Sequence, residues 1–89
     1  MAWRVELDSA AERDLDKLDP ETALRILAFL HDRVATLADP RSIGEALKGS
    51  RLDEFWKYRV GDCRVICDIQ DSALHILVVK IGNQREIYR

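Results

Sequence analysis

Apolar and polar residues alternate where the chain begins. In residues 2–7, "AWRVEL", Trp3, Val5 and Leu7 fall on one side and Arg4 and Glu6 on the other. That period of two predicts a half-buried strand. The period then lengthens. Ser9 and Glu12 fit the S-x-x-E capping box, which satisfies free N–H groups at a helix start. Ala11, Leu15 and Leu18 supply the buried stripe of that helix. Asp19-Pro20 ends it and opens the next, with Asp19 as N-cap and Pro20 at the first helical position. The second helix, about residues 20–38, carries the strongest periodicity. Ala23, Leu27, Leu30, Val34 and Leu37 recur at spacings of four and three, which makes one continuous apolar seam. Ile26 and Phe29 widen this seam. The widened face either completes the core or forms a groove for a partner's helix or tail. Asp39-Pro40 stops the helix.

Residues 40–52 read as a connection containing Gly44 and Gly49. Three strands are predicted after it, at about 54–60, 63–69 and 73–81. Gly61-Asp62 joins the first two as a two-residue hairpin loop. The stretch "ALHILVVKI" is apolar at nearly every position, which predicts a central strand covered on both faces. The expected fold is α+β: strand, helix pair, then a three-strand meander in a mostly antiparallel sheet. The helix pair packs on one sheet face and leaves the other for function.

The hairpin "FWKYRVGDCRVIC", residues 55–67, can be paired residue by residue. A two-residue loop sets Val60 against Cys63, Arg59 against Arg64, Tyr58 against Val65, Lys57 against Ile66 and Trp56 against Cys67. Side chains alternate between faces. Trp56, Tyr58, Val60, Cys63, Val65 and Cys67 then share a core face. Lys57, Arg59, Arg64 and Ile66 share the other. Like charges directly opposite each other destabilise a sheet. The cluster is therefore either a solvated basic face or a seat for an anion. If the C-terminal tail folds back beside it, Arg85 and Tyr88 would add a cation and an aromatic ring that could stack on a base. His31, in the long helix, and His75, in the apolar strand, read as structural residues.

Composition changes the picture in two ways. The chain of 89 residues allows a single small domain, residues 1–89, with a modest core. Its net charge of −2 gives no sign of nucleic acid, but the distribution is uneven. Residues 1–40 hold five Lys/Arg and nine Asp/Glu, and residues 41–89 hold nine and seven. The basic half carries the hairpin, and such asymmetry can mark an anion-facing surface. No apolar run approaches the ~20 residues of a membrane span, and "MAWRVELD" lacks a secretory core. Cys63 and Cys67 on one strand would lie ~13 Å apart, too far for a disulfide. Free thiols without a signal predict a cytoplasmic protein.

The order of elements, together with "LKGSRLDEFWKYRVGDCRVICDI" and "ILVVKIGNQREIY", resembles the RelE branch of the RelE/ParE toxins of toxin–antitoxin modules. The resemblance spans essentially the whole chain. Its most specific pieces are Leu47-Lys48-Gly49, the basic hairpin, and a terminal G-x-x-R-x-x-Y of Gly82, Arg85 and Tyr88. It implies an mRNA interferase that cuts mRNA in the ribosomal A site. The RNA's own 2′-OH is the nucleophile, and no metal or other cofactor takes part. It implies a RelB-like antitoxin partner, with operator DNA reached only through the antitoxin complex and no membrane association.

By resemblance, Lys57 matches a general base and Arg59 a position that is Lys or Arg in many members. Arg64 matches the holder of the scissile phosphate, Arg85 a cation for the leaving oxygen, and Tyr88 a residue that stacks on or orients the nucleotide. Lys48 and Arg51 join Lys57, Arg59 and Arg64 as RNA-binding residues. Ile26, Phe29 and Leu30 are the candidate antitoxin-binding face. A lysine acts as base only when its ammonium is made easier to deprotonate, and close like charges push that way. Gln84 stands where many members are basic. Two alternatives follow: a ParE-like inhibitor of DNA gyrase without nuclease activity, and a catalytically weakened homologue that binds antitoxin.

Overall fold

The computed structural model describes residues 3–46 and 55–83. Strand β1, Arg4–Leu7, leads into helix α1, Ser9–Asp16. The cap of α1 is Asp8 rather than Ser9. Its Oδ1 accepts from the amides of Ala10 at 2.7 Å and Ala11 at 3.3 Å. A carboxylate there satisfies the free amides and also complements the positive end of the helix dipole. The helix consequently starts one residue earlier than a serine cap would set it.

Helix α2, Pro20–Ala28, begins as its sequence predicts. Asp19 accepts from the Thr22 amide at 3.1 Å and from the Thr22 hydroxyl at 2.7 Å. The α-helix does not run on to residue 38. It passes at Phe29–Val34 into a π-helical turn. There the Ala35 amide donates to the Leu30 carbonyl five residues back, at 2.9 Å. The wider turn brings consecutive residues, Val34 and Ala35, into the core together. The Ala35 carbonyl accepts from the Trp3 amide at 2.8 Å and so fastens the helix end to the start of β1. The buried stripe is Ile26, Leu30, Val34 and Ala35. Ala23 and Leu27 of the predicted seam are half-buried.

A 3₁₀ turn, Pro40–Ile43, precedes β2, Glu45–Ala46, a short strand absent from the sequence prediction. Strands β3, Phe55–Val60, and β4, Cys63–Gln70, form the hairpin. Gly61 has φ +60° while Asp62 does not enter the positive region, the φ pattern of a II′ turn with glycine first. After a 3₁₀ turn at Asp71–Ala73 comes β5, His75–Asn83. The sheet order is β1-β5-β4-β3-β2, antiparallel except for the β1–β5 pair, which is parallel. The central strand is therefore β4, not the apolar third strand of the meander. β4 is buried on both faces through Cys67, whereas β5 alternates between half-buried and buried over His75–Val79 and exposes Lys80 and Asn83. A bulge skips Val79, so that Ile66 pairs with Lys80 and Cys67 with Val78.

One sheet face meets the helices. Tyr58, Val65, Cys67, Ile76 and Val78 pack in one cluster with Ala11, Ile26, Leu30 and Val34. The fold is α+β as expected. Among the described residues no helix is long and apolar enough to cross a membrane.

Candidate functional site

The hairpin register agrees with the sequence pairing at every predicted position, including Arg59 opposite Arg64 and Lys57 opposite Ile66. Alternation then puts Lys57, Arg59 and Arg64 on the face away from the helices. Their burial differs. Arg59 is exposed and Lys57 half-buried, but Arg64 is only 9% exposed and Ile66 only 6%. This face is closed over at β4 rather than open. Nη1 of Arg64 is buried and has no hydrogen-bond partner among the described residues. A guanidinium so placed carries an uncompensated desolvation cost, which an anion bound to it would offset.

Strand β2 pairs only with Trp56 and Lys57. Past Lys57 no described strand lies beside β3, and side chains from both sheet faces can meet around that edge. A pocket of about 280 Å³ lies there, lined by Phe29, Arg33, Ile43, Glu45, Lys57, Arg59 and Arg64. It contains four cations and one carboxylate. Glu45 stands opposite Lys57 in the ladder. Its Oε2 is 3.8 Å from Lys57 Nζ, on a side chain that is 80% exposed. Arg33 and Arg59 form no ion pair among the described residues.

Close packing holds the pocket wall. The Tyr58 hydroxyl donates to the Pro40 carbonyl at 2.7 Å, and burial pushes its phenol far above the ordinary range. The Phe29 ring meets the Tyr58 ring edge-on at 6.0 Å between centroids. Arg33 lies over the Phe29 ring at 6.0 Å. Gly44 fits between: a Cβ there would lie 2.9 Å from Tyr58 Cε1 and 3.2 Å from the Lys57 carbonyl oxygen.

The structure thus gathers Lys57, Arg59 and Arg64 in one pocket. Lys48, Arg51, Arg85 and Tyr88 lie outside the described residues. Ile26 and Leu30 are both 0% exposed in the core, so neither can line an open groove for an antitoxin. Phe29 is half-buried and belongs to the cationic pocket. Arg33 and Glu45 are pocket residues that the sequence reading missed. The spacing of four from Phe29 to Arg33 could have signalled the first. Nothing in the connection announced a strand that would place the second.

Other reactive groups lie elsewhere. His75 Nε2 is 2.9 Å from Glu6, and its Nδ1 is 3.2 Å from Gln70 Oε1, while His31 is exposed on the π turn. Cys63 and Cys67 are buried thiols outside any disulfide, and burial raises the Cys67 thiol far above its usual range. Among the described residues no three His, Cys, Asp or Glu side chains group as a metal site. A larger pocket, about 620 Å³, opens at the hairpin tip. It sets Lys17 and Arg25 among Asp14, Asp19 and Asp62, so its charges offset, and no buried unpartnered donor lies among its described residues.

Comparison with known proteins agrees with this architecture. A family model described as the ParE toxin of the type II toxin–antitoxin system, parDE, matches residues 5–88. Toxin RelG of Mycobacterium tuberculosis is 25% identical over 89 residues, covering 100% of this chain and 99% of that protein. The fold is similar to a chain of the toxin–antitoxin complex RelBE2 from Mycobacterium tuberculosis. The TM-score is 0.85 at 21% identity, covering 94% of this chain and 93% of that one. It is also similar to a chain of the intact E. coli RelBE complex, with TM-score 0.71 at 19% identity over 92% and 96% of the two chains. The isolated E. coli RelE toxin gives 0.72 at 16% identity over 98% and 92%. The chain therefore belongs to the ParE toxin family of type II toxin–antitoxin systems and is a RelE/ParE-type toxin.

Proposed function

We propose that this toxin is a ribosome-dependent endoribonuclease that cleaves mRNA in the A site. The observation that carries the reading is Arg64: a buried guanidinium whose Nη1 has no partner among the described residues, in a pocket it shares with Lys57 and Arg59. Such a group suits a phosphodiester better than it suits water or a protein core. In the proposed reaction the RNA 2′-oxygen attacks the adjacent phosphorus and loses its proton. The bond from phosphorus to the 5′-oxygen breaks, and that oxygen takes up a proton. Arg64 and Arg59 face the charge that builds on the phosphorane, where fixed donors act most strongly. Lys57, in its neutral form, takes the 2′-OH proton. Arg85 supplies the cation at the leaving oxygen, and Tyr88 orients the nucleotide. Lys48 and Arg51 extend the RNA contact.

The RelB–RelE complexes among the structural neighbours support a RelB-like antitoxin as partner. In this reading operator DNA is bound only through that antitoxin complex. A second reading, a ParE-like inhibitor of DNA gyrase, is favoured by the description of the matching family. Primer extension on a translated message after brief induction separates them. Ribosome-dependent cuts within codons, lost in Lys57→Ala and Arg64→Ala, are expected. Intact message with linearised or relaxed plasmid would instead establish the gyrase reading. Absence of growth arrest would favour a weakened antitoxin-binding homologue.

A further inference from the structure

The cationic pocket has a second wall, and it is helical. Phe29 and Arg33 come from the π-helical turn and face the hairpin cations around the β3 edge. Arg33 is exposed, yet it is held in place by a relay of contacts. Its guanidinium lies over Phe29, Phe29 meets Tyr58, and Tyr58 is tied to the Pro40 carbonyl. A charged group ordered before binding loses less freedom when a ligand arrives. Arg33 also has no carboxylate within ion-pair distance among the described residues, so its charge is available to a ligand. An arginine over an aromatic ring can still present N–H donors to a phosphate.

We propose that Arg33 is an RNA-contacting residue. It binds a phosphate next to the one held by Arg64, so that the strand passes over the sheet edge between the π turn and the hairpin. Phe29 is a positioning residue that acts through Arg33. The inference rests on the ribonuclease reading, because it gives Arg33 a phosphate on the same RNA.

The test is single-turnover cleavage of mRNA on programmed ribosomes, with toxin concentration and salt varied. For Arg33→Ala the half-saturating concentration should rise roughly tenfold, as expected for one charge-assisted contact, with the plateau rate nearly unchanged. The dependence of log affinity on log salt should flatten by about 0.7, one phosphate contact on a single strand. Arg33→Lys should keep the salt slope and recover part of the affinity. Arg64→Ala should instead collapse the plateau. If the unsubstituted toxin does not cut, the ribonuclease reading fails and this inference with it. If it cuts and Arg33→Ala matches it in half-saturation and salt slope, only the role of Arg33 is refuted. A thermal melt of Arg33→Ala equal to that of the parent separates either result from misfolding.

Discussion

Arg59 and Arg64 stand directly opposite each other across the β3–β4 ladder, the first exposed and the second buried. Opposed like charges weaken a sheet, and Arg64 adds the cost of a buried donor that is unpaired among the described residues. Arg64→Met should therefore leave stability unchanged or raise it, by about 1 kcal/mol or more on the precedent of buried ion replacements. Urea unfolding near neutral pH measures this. A clear loss of stability would show that Arg64 supports the fold rather than a ligand.

Gly44 is required by space rather than by dihedral angle. Its φ is −108°, open to any residue, but an added Cβ would press on the Tyr58 ring and the Lys57 carbonyl. Gly44→Ala should cost about 1–3 kcal/mol, as overpacking does. It should also shift Glu45 away from Lys57. An unaltered melting temperature would show that the β2 backbone yields freely.

Leu24 and Leu30 distinguish surface from core on the same helical run. Leu24 is 67% exposed and Leu30 wholly buried. Leu30→Ala should cost about 2–5 kcal/mol, and Leu24→Asp should stay within about 0.5 kcal/mol. Paired denaturant titrations decide. A tolerant Leu30 would return it to the candidate antitoxin surface.

Acid should loosen the joint between the 3₁₀ turn at Pro40 and the start of the β4–β5 connection. The Asp71 carboxyl lies below its ordinary value because Arg41 holds both its oxygens, at 2.9 and 2.7 Å. Asp19 is lowered in the same direction by the Thr22 hydroxyl and amide. A carboxylate with a depressed folded pKa stabilises the fold above its unfolded value of ~3.9, and the effect disappears as pH falls through the folded value. Asp71→Asn should thus be less stable than the parent at about pH 6, and the two should converge as pH falls below ~3.9 and through the folded value. Urea midpoints across that range measure the difference. A constant offset at every pH would assign the effect to packing.

Local chemistry made much of this legible. The Gly61-Asp62 loop and the alternation in "WKYRVGDCRV" set the hairpin register outright, because a one-residue slip would have turned Tyr58 and Val65 out of the core. Asp19-Pro20 likewise announced α2. The π turn was not legible, since the apolar spacing from Leu30 to Val34 suits an α-helix equally well. Its cause is tertiary: Ala35 is drawn in by its bond to Trp3. Strand β2 was hidden because two residues have no readable period. Burial of Arg64 depends on what covers β4, which a pairing diagram does not contain.

The parallel pair has a kinetic meaning. Arg4–Leu7 pair with His75–Val78, about seventy residues further along the chain, while the β3–β4 hairpin needs only its own loop. Closing so long a loop costs entropy before any contact compensates for it. The hairpin can form before β1 meets β5, but the sheet cannot take its first strand until β5 has left the ribosome. In pulse-labelled hydrogen exchange during refolding, the Arg4–Leu7 amides should gain protection after those of Phe55–Val60. Simultaneous protection would mean that the whole sheet forms in one step.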